Sequence, residues 1–289
     1  MKRKLLHAIP FLVFALFFCV ATLLIHFNSD KLFIFFENTG AFREEIECTA
    51  VDEQAISLEK HALTELLQDE RVIFDQSLML VNTEFRLSED FIPAVAEYKS
   101  TDVYMNACML ESYASLSAAV SEKFDVKLYV SSDFRTAEEQ SILYAEDPLT
   151  ATLPGASEHQ TGLAVDVYVP YFAGDGFIKS PAGRFVNAEC YEYGFIIRYP
   201  SYGEEITGIR FEPWHIRYVG QPHAEIIYRN RLTLEEYVLS MEIGQWYIVE
   251  EYMICRQAIT PDGELMLPAS FEHCVISPDN TGCYIVTVK

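Results

Sequence analysis

Three short segments carry side chains able to do hydrolytic chemistry together: Ser131-Ser132-Asp133-Phe134-Arg135, Ser157-Glu158-His159-Gln160-Thr161-Gly162-Leu163-Ala164-Val165-Asp166, and Glu212-Pro213-Trp214-His215-Ile216-Arg217. They offer two imidazoles and a carboxylate for a divalent metal, a further carboxylate shortly before the last histidine, and an arginine upstream. Catalytic zinc takes three protein ligands from His, Asp, Glu or Cys and keeps a fourth position for water, whose pKa falls to roughly 7. His159, Asp166 and His215 can supply those three ligands. A metal-bound water still needs a base for its proton and an acid for the leaving amine, and one carboxylate can serve as both. Glu212, tied to His215 through Pro213, is the candidate. Arg135 brings a planar fork of donors suited to an oxyanion or a substrate carboxylate.

The surrounding pattern predicts the elements that position these groups. Leu163, Val165, Val167 and Val169 alternate with Ala164, Asp166 and Tyr168 as in a half-buried strand, which turns Asp166 away from the apolar stripe. The loop 154–162 is expected to fold His159 back beside it. A strand at 127–130 delivers the arginine loop and a helix at 137–145 follows. Met109, Tyr113, Leu116 and Val120 space a helix over 105–123. Further expectations are strand and turn over 72–91, a helix at 183–193, a strand at 195–199 and a helix at 234–243. Strands are predicted at 247–249, 252–254 and 284–288, with a hairpin turn at 278–282.

Read in order, Ser132-X-X-Arg135 with Gln140 beyond it, then Ser157-X-His159-X-X-Gly162-X-Ala164-X-Asp166, then Glu212-X-Trp214-His215-X-Arg217, resembles the VanY-type zinc D-alanyl-D-alanine carboxypeptidases, within the D-Ala-D-Ala carboxypeptidase/dipeptidase family. The resemblance covers about 126–220 and continues through Pro222-His223-Ala224-Glu225, Leu234-Glu235-Glu236-Tyr237 and Ser277-Pro278-Asp279-Asn280-Thr281-Gly282. Asp133 and Phe134 stand where many members have Gly and Tyr. The resemblance implies one Zn2+ per chain on His159, Asp166 and His215, Glu212 as general base and acid, Arg135 at the transition state, and Ser157 and Gln140 in the substrate pocket. It implies an α+β fold of the DD-peptidase/Hedgehog-like kind, a small antiparallel sheet with packed helices. The implied substrate is a peptidoglycan stem peptide or lipid-linked precursor ending in D-Ala-D-Ala, with a role in glycopeptide resistance. An L,D-carboxypeptidase, a D,D-dipeptidase of the same fold, and a non-catalytic zinc-binding module are the rival readings.

Residues 5–27 form an apolar run long enough to cross a bilayer of roughly 30 Å as a helix at 1.5 Å per residue. Lys2, Arg3 and Lys4 precede it, so the positive-inside rule predicts a single-pass anchor at the cell membrane with the catalytic part outside. No small-X-small cleavage site follows the run. The expected organisation is a cytoplasmic tip and transmembrane anchor at 1–30, an acidic stalk at 31–70, a zinc carboxypeptidase domain at 71–243 and a β-rich extension at 244–289.

The chain carries 43 acidic against 21 basic residues, a formal charge of −22. With no basic cluster beyond the amino terminus, nucleic acid is excluded as a partner, because that binding depends on neutralising phosphates. Outside the anchor stand Cys48, Cys108, Cys190, Cys255, Cys274 and Cys283, an even number that permits disulfides in an oxidising compartment and equally permits buried thiols. His61, His223 and His273 read as structural, Arg217 as an ion-pair partner and Trp214 as packing. Ser157 lacks the Gly-X-Ser-X-Gly elbow of a serine nucleophile.

Overall fold

The computed structural model describes residues 28–41, 43–149, 151–260 and 262–289, together with residue 22. It divides into two units, 1–42 and 43–289. In the first, α1 (Ser29–Thr39) ends where Gly40 turns left-handed and returns its N–H to the Phe36 carbonyl. The expected anchor lies outside the described residues apart from Thr22. Among the described residues no helix is long and apolar enough to cross a membrane.

In the second unit the strands are β1 (Thr49–Ala50), β2 (Leu58–Ala62), β3 (Val72–Phe74), β4 (Val95–Glu97), β5 (Tyr104–Asn106), β6 (Tyr129–Ser132), β7 (Ala164–Tyr168), β8 (Phe195–Ile197), β9 (His215–Tyr218), β10 (Trp246–Val249), β11 (Tyr252–Ala258), β12 (Glu264–Pro268), β13 (Cys274–Pro278) and β14 (Cys283–Val288). The helices used below are α2 (Leu110–Phe124), α3 (Ala137–Glu146), α4 (Pro181–Glu189), α5 (His223–Arg229) and α6 (Leu234–Ser240). The fold is mixed α+β.

A four-stranded antiparallel sheet in the order β6-β7-β9-β8 carries Asp166 and His215. Its two faces divide as the alternation of β7 requires. Val165, Val167, Phe195 and Ile216 enter a core with Tyr113, Leu116 and Val120 of α2 and with Val186 of α4. Asp166 and His215 take the opposite face. The helices start where the sequence supplies caps: Thr136 and Glu139 make a reciprocal capping box for α3, Thr233 and Glu236 another for α6, and Ser180 caps α4 with Pro181 at its first turn.

Two expected helices are shorter than the apolar spacing suggests. Residues 104–109 form β5 and a 3-10 turn, with Asn106 accepting from the Cys108 N–H, so α2 begins only at Leu110. The 183–193 segment splits into α4 and a 3-10 turn ending at Gly194.

The larger difference concerns domain boundaries. Residues 244–289 do not form a separate extension. They build a sheet in the order β1-β10-β11-β14-β13-β3, which includes strands from either side of residue 70, and β12 pairs with β2. Much of the expected stalk is therefore sheet and core. Leu66 is buried with Trp246, Cys255, Leu265 and Leu267. Of the acidic residues that suggested a solvated stalk, Glu59 stands exposed on β2, where its neighbour Lys60 reaches across to Glu264, and the others lie in loops and short helical turns. β12 and β13 escaped the sequence reading, although Leu265 and Leu267 do alternate with outward neighbours. The hairpin turn expected at 278–282 is present between β13 and β14. The six described cysteines form no disulfide.

Candidate active site

Antiparallel register sets Asp166 opposite His215 across β7 and β9, and Ser132 opposite Asp166 across β6 and β7. His159 arrives from the 3-10 turn Glu158–Thr161, which closes on Gly162 at φ 69°. A Cβ at Gly162 would stand 2.7 Å from Val95 Cγ1 and 2.9 Å from the Asn106 nitrogen, so glycine is required both for the turn and for the close passage. The arginine loop is pinned on both sides: Tyr104 N donates to Asp133 Oδ2 at 2.6 Å, Phe134 N to the Tyr104 carbonyl at 3.0 Å, and Arg135 N to the His159 carbonyl at 3.1 Å. Asp133 thus supplies a positive hydrogen-bonding reason for its presence in place of glycine.

The three expected ligands meet. His159, Asp166 and His215 each present one ligand atom, all within 4.8 Å of one another. Asp166 Oδ1 stands 3.0 Å from His215 Nδ1 and 3.7 Å from His159 Nε2. It is buried and has no aligned hydrogen-bond donor. His159 Nδ1 donates to the Asp133 carbonyl at 2.9 Å, which leaves Nε2 with its lone pair toward Asp166. An orphaned buried carboxylate oxygen between two imidazole nitrogens is what a three-ligand zinc site requires, and these residues fit it.

The two rings differ in charge: His159 is neutral, whereas His215 gives up a proton to become a ligand. Burial holds His159 down to about 4, so its ring is neutral and ligand-ready. Burial also opposes charge on His215, but Asp166 and Glu158 outweigh it and lift the ring to about 9. Glu212 Oε2 lies 3.9 Å from His215 Nδ1. Burial raises Glu212 above the ordinary carboxylate range; His215 opposes this and Asp166 reinforces it. Its segment is rigid: Glu212 N donates to the Tyr199 carbonyl, His215 N to the Glu212 carbonyl, and Asn187 Nδ2 to the Pro213 carbonyl at 2.8 Å. Trp214 packs on the sheet and α2 core, with the Arg210 guanidinium 5.2 Å from its ring centre.

Arg135 hydrogen-bonds neutral acceptors, Gln140 Oε1 at 2.8 Å and Ser132 Oγ at 2.9 Å. Its charge therefore faces a cleft of about 580 Å³ shared with Ser157, His159, Glu212 and His215. Gln140 also lines this cleft but is only 1% exposed, and its amide is engaged by Arg135 at the oxygen and by the Thr152 carbonyl, 2.7 Å away, at the nitrogen. Its contacts hold Arg135 and the cleft wall together.

Sequence reasoning missed one layer. Glu158, inside the Ser-X-His motif, has a fully buried side chain. Its Oε1 accepts from Arg198 Nε at 2.7 Å and from Arg217 at 2.6 Å, while Arg198 grips Glu235 with two further bonds of 2.8 and 2.6 Å. Arg217 is thus the ion-pair partner its type suggested. Burial would raise Glu158, but the two guanidinium groups hold it well below the usual carboxylate range. The only sequence signal for Arg198 is a charge at the end of the apolar 195–197 run.

Comparison with known proteins agrees with this geometry. A family model described as D-alanyl-D-alanine carboxypeptidase, VanY, matches residues 102–221. The chain is 30% identical over 240 residues to a D-alanyl-D-alanine carboxypeptidase of Enterococcus faecium, covering 76% of this chain and 77% of that one. It is 36% identical over 178 residues to the bifunctional D-Ala-D-Ala dipeptidase and carboxypeptidase VanXYC of Enterococcus gallinarum, covering 56% of this chain and 93% of that one. In fold it is similar to the vancomycin resistance D,D-dipeptidase VanXYg, with a TM-score of 0.59, 24% identity, and coverage of 81% of this chain and 98% of that one. With His159, Asp166, His215, Glu212 and Arg135 gathered along one cleft, the chain belongs to the VanY family of D-alanyl-D-alanine carboxypeptidases.

Proposed function

We propose that this protein removes the terminal D-alanine from peptidoglycan stem pentapeptides or their lipid-linked precursors, using one Zn2+ held by His159, Asp166 and His215. The observation that carries the reading is the orphaned Asp166 oxygen set between the two histidines, with Glu212 and Arg135 in the same cleft. Zinc, when bound, supplies Lewis acidity toward the scissile carbonyl and toward a water. Glu212 takes that water's proton and returns it to the departing D-alanine amine. Arg135, steadied by Gln140 and Ser132, offsets the charge gathering on the carbonyl oxygen or holds the substrate's terminal carboxylate. Ser157 lines the pocket in which the terminal residue sits. The DD-peptidase/Hedgehog-like arrangement keeps these groups on rigid strands and a pinned loop, so little reorganisation is needed when charge develops.

The apolar 5–27 run behind three basic residues supports a single-pass anchor that holds the catalytic unit outside the cell membrane, close to its substrate. This location also suits a contribution to glycopeptide resistance, since vancomycin resistance is named for the VanXYg relative. Membrane fractionation with external protease tests the placement. An intact catalytic unit after protease treatment of whole spheroplasts would refute it.

The decisive assay is D-alanine release from a muramyl pentapeptide, before and after chelation and again after zinc is restored. Metal-dependent release of one D-alanine supports the reading; release from a tetrapeptide alone would assign L,D specificity instead. Glu212→Gln is expected to lower turnover by roughly a hundredfold or more while zinc stays bound at one per chain. Full activity in that variant would sink the role given to Glu212.

A further inference from the structure

His215 must offer Nδ1 to a metal, because Nδ1 is the nitrogen facing Asp166 at 3.0 Å. A neutral imidazole with its lone pair on Nδ1 carries its proton on Nε2. Nε2 is buried without an aligned hydrogen-bond partner, and so is Glu158 Oε2, and these two atoms face each other at 3.6 Å. The two oxygens of Glu158 are divided in use. Arg198 and Arg217 both take Oε1, which leaves Oε2 for the histidine.

We infer that Glu158 is a positioning residue for His215, accepting the Nε2–H so that the lone pair of Nδ1 is locked toward Asp166 and His159. His159 is arranged the same way by different means, its Nδ1–H held by the Asp133 carbonyl. Each ring thus has an acceptor facing its outer nitrogen, the Asp133 carbonyl at 2.9 Å from His159 and Glu158 Oε2 at 3.6 Å from His215. The arginines give this design its strength. Arg198 is itself held by Glu235, and Arg217 also donates to the Ser77 and Met79 carbonyls at 2.9 and 2.8 Å, so the carboxylate is ionised and fixed in orientation. Outer partners of this kind shift metal affinity by about 10- to 100-fold in metalloproteins generally.

The inference rests on the ligand set proposed above, and the test separates the two. Zinc affinity of the full-length protein is measured by competition with a chromogenic chelator. Imidazole nitrogen-15 shifts of the zinc-loaded protein report which nitrogen of His215 is protonated. In Glu158→Gln the amide oxygen is claimed by the arginines and the NH2 group meets Nε2, which favours the wrong tautomer. The expected result is zinc affinity lower by about 10- to 100-fold, with apo-protein circular dichroism unchanged. Glu158→Asp keeps the charge but withdraws the carboxylate from the ring, and should also bind zinc more weakly. Should Glu158→Gln fail to fold, the affinity of the aspartate variant still decides. Wild-type affinity in a folded Glu158 variant would overturn the positioning role, whereas a His215 protonated at Nδ1 in the zinc-loaded wild type would overturn the ligand set. Absence of zinc binding in the wild type would overturn the ligand set itself, and this inference with it.

Discussion

Among single residues, the histidines divide by what surrounds them. His159 and His215 turn one nitrogen each toward Asp166, whereas His223 is spent inside the core, its Nδ1 2.6 Å from the Tyr237 hydroxyl and its Nε2 2.9 Å from the Thr287 hydroxyl. Burial holds His223 down to about 3. Because the unfolded chain protonates this ring near pH 6.5, the unfolded state binds more protons between about pH 6.5 and 3, and stability falls as the pH is lowered through that window. The slope from this residue is at most ~1.4 kcal/mol per pH unit. His223→Gln should flatten the loss of stability between pH 7 and pH 5 in urea unfolding, whatever it costs at neutral pH; an unaltered pH dependence would show that His223 is not the source. The structural role read for His223 from its type is thus specific: it ties α5 to α6 and β14.

Elements place the catalytic groups more strictly than residue spacing alone implies. Asp166 is on the working face because β7 alternates, and His215 reaches it because β9 pairs antiparallel with that strand in the observed register. A one-residue slip would send His215 into the core. The entry to β7 depends on Gly162, whose left-handed backbone and crowding by Val95 and Asn106 leave no room for a side chain. Gly162→Ala is therefore expected to destabilise the protein by about 1–3 kcal/mol through backbone strain, and to weaken zinc binding because His159 closes the same turn. Thermal unfolding of the apo protein and chelator competition check the two effects, and an alanine variant with wild-type values for both would contradict this account. The alternation of 163–169 was legible in sequence. The 3-10 geometry of 158–161 was not, because it is set by the Thr161 hydroxyl bonding the Glu158 carbonyl and by contacts to residues far away in the chain.

At the scale of the whole molecule, the 244–289 segment is structural support for the catalytic sheet's surroundings. Ser277 Oγ accepts from Leu78 N, and Asn280 donates to the Leu80 and Phe85 carbonyls. Leu78 and Leu80 share a core with Ile254 and Ile285, and the Met79 carbonyl between them is one of the acceptors for Arg217. A chain ending at Ile243 is accordingly expected to lose cooperative unfolding in circular dichroism melts and to lose zinc binding, since β1 and β3 would lose their partners. A cooperative melt within a few degrees of the full-length protein would show the segment to be dispensable.

The gathering of His159, Asp166, His215, Glu212 and Arg135 was legible because metal and acid-base chemistry need particular side chains, and because the strand period decides which of them share a face. Sequence order alone also located the apolar 5–27 run and the hairpin turn at 278–282. Tertiary structure decided what no local pattern encodes: that strands of 49–74 pair with strands of 244–289, that Gln140 is a strut, and that Glu158 lies between two arginines and the ring of His215. Those facts depend on contacts between residues as much as two hundred positions apart. Local propensity and periodicity carry no information about such pairings, which arise only when packing the whole chain brings the partners together.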